Sequence, residues 1–220
     1  MDLTRVTSNP PLSPFAPVWD FCIGNDHVDG IDLGALKHTI LSNERKVKSI
    51  KPSYTENGKL IDGHTGLGKN STTSRFLSYN LLTWQTPEID ELRHQILKKV
   101  IIYNNLLGCS LPRELWIQCW MNVLRFGQRI KPHLHNVDAT CYLSGHYTVQ
   151  CKKTSTVYIS PENQINDPYE IHVENKPGSM TIFPSYIPHY TTPHYSFSPR
   201  ITIAFDIFLN RDKENFIKLL

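Results

Sequence analysis

Arg200-Ile201-Thr202-Ile203-Ala204-Phe205-Asp206-Ile207-Phe208 is rich in β-branched and aromatic residues and reads as a strand. Five stretches upstream share its composition and period-two patterning: Trp116–Leu124, 140–149, 156–160, Glu170–Glu174 and 179–183, set apart by Pro, Gly and Asn. At least six strands are therefore expected after Gly108. Before it the period changes. Thr86-Pro87 is an N-cap residue followed by proline at the first helical position, and Ile89, Leu92, Ile96, Val100, Tyr103 and Leu107 fall on one stripe. A second amphipathic helix is predicted over 32–47, with Leu33, Leu36, Ile40 and Leu41 at helical spacing. Helices followed by a run of strands point to an α+β fold whose C-terminal half is a sandwich or barrel.

Residues 1–30 read as an irregular lead, because Asn9-Pro10-Pro11 and Ser13-Pro14 interrupt regular structure. The remainder, 31–220, reads as one domain. Its helical part is 31–108, with a polar loop over 46–74, and its strand-rich part is 109–210. The loop is rich in Lys, Gly, Asn, Ser and Thr, and is either a lid over a site or a mobile surface segment.

The chain has 220 residues, 40% hydrophobic and 20% charged, with a formal net charge of +3. That balance gives no reason to expect nucleic acid or an anionic membrane as partner. No apolar run approaches the ~18–20 residues of a membrane span, and the start lacks a basic and apolar leader, so a cytoplasmic protein is expected (host cytoplasm if it is viral). Five cysteines without a C-x-x-C pair read as reduced.

The residues able to do chemistry cluster twice. Lys131-Pro132-His133-Leu134-His135-Asn136 places two imidazoles at i and i+2 of an extended segment, on the same side, where both can reach one metal ion; two ordinary surface or core histidines are the other reading. Phe183-Pro184-Ser185-Tyr186-Ile187-Pro188-His189-Tyr190 ends a strand in a loop carrying His189. Arg200 opens an otherwise apolar strand, a costly position unless it binds an anion, and a carboxylate ligand fits.

Trp120-Met121-Asn122-Val123-Leu124, His133-Leu134-His135, Leu143-Ser144-Gly145-His146-Tyr147, Pro177-Gly178-Ser179-Met180-Thr181-Ile182-Phe183-Pro184-Ser185 with His189, and Arg200-Ile201-Thr202-Ile203-Ala204-Phe205 together resemble the 2-oxoglutarate- and iron(II)-dependent oxygenases of bacteria and phages, including relatives like the prolyl hydroxylases. The likeness is strong over 116–208, weaker over 74–108, and absent before about 64. It implies a double-stranded β-helix, or jelly roll, holding a metal at one open end. In that superfamily an H-x-D or H-x-E pair and a distal His form a facial triad on iron. Carried over, His133 is the first ligand and His189 the distal one. His135 takes the second place, where a carboxylate is usual, and leaves the centre one unit more positive.

Two other arrangements stay open: Asp138 bending back to ligate, or His135 acting as an outer donor while chloride fills the vacancy, as in a halogenase. The resemblance also implies that Arg200 pairs with the distal carboxylate of 2-oxoglutarate, that Thr202 adds a hydroxyl, and that Asn122 and Tyr147 contact the same cosubstrate. Tyr142 rivals Tyr147, and either Asn122 or Tyr147 could instead be an ordinary strand residue. His194 rivals His189. His146 and His172 are expected inside the barrel, His38 and His94 in solvent, and Trp84, Trp116 and Trp120 in the core. The Lys46 to Lys51 stretch is expected to be a solvated face.

The activity implied is that of a dioxygenase using Fe(II), 2-oxoglutarate and O2. It would hydroxylate a C–H bond while converting 2-oxoglutarate to succinate, with no catalytic side chain beyond the metal centre. The substrate expected is a small metabolite, a peptide or a protein side chain rather than nucleic acid. The competing reading is a cupin-like jelly roll that binds metal without this turnover; Arg200, an anion anchor such a protein does not need, separates the two.

Overall fold

The computed structural model describes residues 1–135, 137–162, 164, 167, 169–211 and 214–220, so Asn136 of the H-x-H segment lies outside the described residues. The elements in chain order are β1 (Asp2–Thr7), β2 (Asp20–His27), α1 (Leu33–Ser49), α2 (Pro87–Leu106), β3 (Trp116–Leu124), β4 (Cys141–Gln150), β5 (Ser155–Ile159), β6 (Glu170–Glu174), β7 (Ser179–Pro184), β8 (His189–Thr191), β9 (Arg200–Phe208) and β10 (Ile217–Lys218). Two 3-10 turns, Thr73–Ser78 and Leu81–Thr83, precede α2.

Local chemistry accounts for the helices. The Asp32 carboxylate accepts from the Gly34 and Ala35 amides at 2.8 and 2.9 Å and starts α1. Pro87 fixes the first turn of α2, where Glu88 and Asp90 face the positive end of the helix dipole. Both helices bury one stripe: Leu36, Ile40 and Val47 from α1, and Ile89, Leu92, Ile96, Val100 and Tyr103 from α2.

The strands form two antiparallel sheets, one of seven strands in the order β1-β2-β7-β4-β9-β3-β10 and one of three in the order β6-β5-β8. An isolated bridge, His133↔His189, adds the H-x-H segment to the free edge of β8. From β3 the chain therefore crosses between sheets repeatedly: β3 in the large one, the His133 segment in the small one, β4 back in the large one, β5 and β6 small, β7 large, β8 small, β9 large.

Period two gives the large sheet two unlike faces. Ile117, Cys119, Met121 and Val123 of β3 and Ile201, Ile203, Phe205 and Ile207 of β9 join the helix stripes in the main apolar core. Gly145 of β4 is required there, because a Cβ would stand 2.3 Å from the Phe205 ring and 2.5 Å from the Thr181 carbonyl oxygen. A smaller cluster, with Val6, Phe21, Ile23, Tyr158, Phe183 and Ile187, joins β1, β2 and β7 of the large sheet to β5 of the small one.

The first thirty residues depart from the expected irregular lead. β1 and β2 pair from Asp2↔Asn25 to Thr7↔Asp20, and β2 joins the sheet through β7. The proline-rich stretch that suggested irregularity is only their connection, and the apolar residues that bury them, Val6 and Phe21 to Ile23, are too few to show a period. The expected loop over 46–74 is shorter than its composition suggested: α1 runs on to Ser49, and a 3-10 turn begins at Thr73. β8 and β10 are too short to register as strands in sequence. Among the described residues no helix is long and apolar enough to cross a membrane.

Candidate metal and cosubstrate site

Between the sheets lies a cavity of about 420 Å3. Its wall brings together His133 and His135, which approach it on the extended segment, and His189, which opens β8. The backbones of His133 and His189 exchange both hydrogen bonds, at 3.0 and 2.9 Å, and the His135 amide donates to the Ser185 carbonyl at 3.2 Å. Each imidazole is then oriented through Nδ1, 2.9 Å from the Lys131 carbonyl for His133, 3.1 Å from the Ile187 carbonyl for His189 and 2.5 Å from Asp206 Oδ1 for His135. Carbonyl and carboxylate oxygens only accept, so the ring proton sits on Nδ1 and the Nε2 lone pair is left over.

These lone pairs converge. One ligand atom from each of the three histidines lies within 4.8 Å of the others, and the Nε2 atoms of His133 and His135 are 3.1 Å apart. Two imidazoles on adjacent sites of a metal, each bonded at ~2.1 Å, would stand ~3.0 Å apart. Burial, with the neighbouring imidazole added, pushes His133 down to about 3, and the same causes hold His189 well below the usual imidazole range. Three neutral nitrogen donors facing one point without protons between them suit a divalent first-row ion.

The same cavity reaches Arg200. Arg200 is 1% exposed, and among the described residues its guanidinium finds only neutral partners: Thr154 Oγ1 at 3.3 Å, Thr202 Oγ1 at 3.4 Å and, with the Asn175 amide turned to satisfy both of its ends, the Asn175 oxygen at 3.2 Å. Burial lowers its pKa to about 10, still far above neutrality. A buried cation without an anion is costly, so this end of the cavity suits a carboxylate. Thr202 is beside it on the same face. Asn122 also lines the cavity, and because its Oδ1 accepts from Thr73 Oγ1 at 2.6 Å its amide hydrogens are left for a ligand.

Tyr147 does not line the cavity. Ser144, His146 and Thr148 are the residues of β4 that face the second sheet, and the period of two sends Tyr147 into the main core, where its hydroxyl has no hydrogen-bond partner among the described residues and burial raises it to about 12. Its rival Tyr142 turns to α2 and donates to Asn104. The inward tyrosine is Tyr158 of β5, its hydroxyl 3.3 Å from His146 Nε2 and its ring 5.7 Å from that of His189. Its place two residues from Thr156 on the same strand was the available signal.

Asp138 stands apart from the imidazoles, exposed, bonded to the amide and hydroxyl of Thr140 and to Arg211, which together hold its carboxyl well below the usual range. The buried carboxylate at the cavity, among the described residues, is instead Asp206, 6% exposed, which shares its face of β9 with Arg200, Thr202 and Ala204. That alternation was visible in the sequence, but the long apolar run around it drew attention to the other face.

His194 is buried 2.6 Å from the Ser198 carbonyl and outside the cluster. His172 is exposed beside Glu170 rather than inside the barrel. Trp120 is buried, as expected, and also forms cavity wall, its ring 5.6 Å from that of His135. Part of the polar loop does reach the site. Residues 59–65 line the cavity, and the Thr65 carbonyl accepts from the Lys131 amide at 2.9 Å, two residues before His133. Arg75, itself buried, ties this loop to the end of α1 through the carbonyls of Lys48 and Ile50, both at 3.0 Å.

Residues 118–206, which run from β3 through β9 and contain all three histidines and Arg200, match the family model described as "Putative 2OG-Fe(II) oxygenase". Over this stretch the chain is similar to the 2OG-Fe(II) oxygenases. Solved structures agree on the fold. A prolyl-4-hydroxylase from Pseudomonas putida gives a TM-score of 0.52 at 14% identity, covering 86% of this chain and 88% of its own. A prolyl hydroxylase from Trichoplax adhaerens, in complex with a hypoxia inducible factor oxygen degradation domain peptide fragment, gives 0.52 at 12%, covering 86% and 83%. EvdO2 from Micromonospora carbonacea var. aurantiaca, complexed with 2-oxoglutarate, gives 0.51 at 12%, covering 88% and 90%. No curated protein matches the chain in sequence. The family's cofactor set is Fe(II), 2-oxoglutarate and O2, and the cavity offers donors suited to the metal and a cation suited to the dicarboxylate.

Proposed function

We propose that this protein is an Fe(II)- and 2-oxoglutarate-dependent hydroxylase built on a double-stranded β-helix, acting on a C–H bond of a small metabolite, a peptide or a protein side chain. The repeated crossing between two antiparallel sheets, over eight strand segments from β3 to β9, supports the β-helix reading. One observation carries the function: three imidazole lone pairs and a buried guanidinium with no anion beside it among the described residues share a single cavity.

Iron with 2-oxoglutarate and dioxygen would supply the oxidation, in which 2-oxoglutarate becomes succinate and carbon dioxide and the substrate C–H gains the second oxygen atom as a hydroxyl. The chain supplies binding and orientation. His133, His135 and His189 hold the metal through Nε2, with their Nδ1 acceptors fixing the ring planes. Arg200 takes the distal carboxylate through two N–H donors, and Thr202 and the Asn122 amide add neutral ones. Tyr158 and Phe183, packed edge to face at 4.9 Å, back the His189 ring and help keep that wall dry. Residues 59–65 form the lip through which the substrate meets the metal. Its mixed Lys59, Asp62 and His64 do not favour a polyanion, in keeping with the net charge of +3.

The test is succinate formation from 2-oxoglutarate with Fe(II) under air. Wild type is expected to show slow turnover even without substrate, while His189→Ala and Arg200→Ala each lose more than ~100-fold, beyond the effect usual for residues outside the metal's own ligands. A wild-type protein that neither binds 2-oxoglutarate nor forms succinate overturns the reading.

A further inference from the structure

We propose that Asp206 supplies, through His135, the negative charge that a ligating carboxylate would otherwise bring to the metal. The inference rests on the oxygenase reading above.

The three imidazoles are not equivalent. His133 and His189 give their Nδ1 protons to neutral backbone carbonyls, whereas His135 gives its own to a carboxylate at 2.5 Å. His135 is also the residue standing where the resemblance leads one to expect Asp or Glu. Asp206 has no Lys or Arg beside it among the described residues: besides His135, its bonding partner is Ser144, whose hydroxyl donates to Oδ1 at 2.7 Å and lies 3.0 Å from that of Ser185. A carboxylate this buried needs positive charge nearby, and a metal on the far side of the His135 ring would supply it.

The charges then balance. Iron(II) brings two positive charges and Arg200 one; 2-oxoglutarate brings two negative and Asp206 one. Without Asp206 the filled cavity would carry an uncompensated positive charge in a poorly screening interior. With it, the site reaches the neutrality of a centre whose carboxylate sits on the metal itself. The imidazole in between becomes a stronger donor, because the carboxylate draws on its Nδ1 proton. Asp206 is thus a positioning and tuning residue, not a ligand.

The experiment compares full-length wild type, Asp206→Asn, His135→Asp and the double variant. The readouts are the Kd for Co(II) by calorimetry and the Fe(III)/Fe(II) potential. Asp206→Asn keeps an acceptor of the same shape and removes the charge. It is expected to weaken Co(II) 10–100-fold and to raise the potential. In the His135→Asp background the charge already sits on the metal and faces Asp206 as a like charge. There Asp206→Asn is expected to leave affinity unchanged or to tighten it, so the double variant binds better than additivity allows. This second arm stands even if the single variant does not fold. Equal Kd and potential for wild type and Asp206→Asn, or an equal loss in both backgrounds, overturns the proposal while leaving the oxygenase reading intact. A wild-type chain that binds neither Co(II) nor Fe(II) overturns both.

Discussion

The two faces of the large sheet differ as much as two proteins might. On β9, Ile201, Ile203, Phe205 and Ile207 turn to the helices, while Arg200, Thr202, Ala204 and Asp206 turn to the cavity. The same split runs along β4, where Leu143, Tyr147 and Val149 oppose Ser144, His146 and Thr148. One face lowers the free energy of the fold and the other raises it, since buried cations, carboxylates and neutral histidines all cost free energy until a ligand arrives. Alternation lets a single strand do both without compromise at any one residue.

The largest effect is expected on the helix-facing side. Phe205→Ala removes the ring that lies across Gly145 and leaves a void, so unfolding free energy should fall by about 3–5 kcal/mol in urea titrations, with 2-oxoglutarate turnover per folded molecule little changed. The opposite face should respond with the opposite sign. Arg200→Met replaces an unpaired buried cation by an apolar chain of similar length. The metal-free protein should gain about 1–3 kcal/mol while calorimetry shows 2-oxoglutarate binding lost. A destabilised Arg200→Met would mean that the threonine and asparagine partners already compensate the charge.

The smallest effect is set by pH. Burial keeps His146 neutral down to about 3, with Arg200 and His135 adding to it, whereas an unfolded histidine takes up its proton near ~6.5. The unfolded chain therefore binds more protons below that point, and stability falls as pH drops, by up to about 1.4 kcal/mol per pH unit for each such residue. The contribution is fully present above ~6.5 and declines toward the folded value. Denaturation midpoints at pH 7.0 and 5.5, for wild type and His146→Gln, should differ in slope by the share of that histidine.

The helix-facing side was the more legible in sequence. Its apolar period marked β3 and β9 to the residue, and the Thr86-Pro87 start marked α2. The cavity side was legible at fewer positions: the i, i+2 spacing of His133 and His135 and the place of Arg200 on an apolar strand pointed to it, and the resemblance set His189 above His194. Tyr147 shows the limit: it occupies a position that suggested a cosubstrate contact, yet its parity on β4 places it in the main core. Asp206 shows the converse, a residue whose parity matched Arg200 but which sat unremarked within an apolar run. β1 and β2 went unseen because an edge pair bound through β7 needs few apolar residues of its own.

The double backbone bond between His133 and His189 has a consequence for assembly. Two imidazoles far apart in the chain face each other across a single rung, so the cluster forms only when the two ends of a long loop have met. A metal bound there, as proposed, would act as a clasp on that loop, and its release should register first as faster amide exchange at the His133 and His189 amides. Insertions in the turns between β4 and β7, by contrast, lengthen the route without moving its ends. The chain can vary in those turns and still return the same two imidazoles to one another.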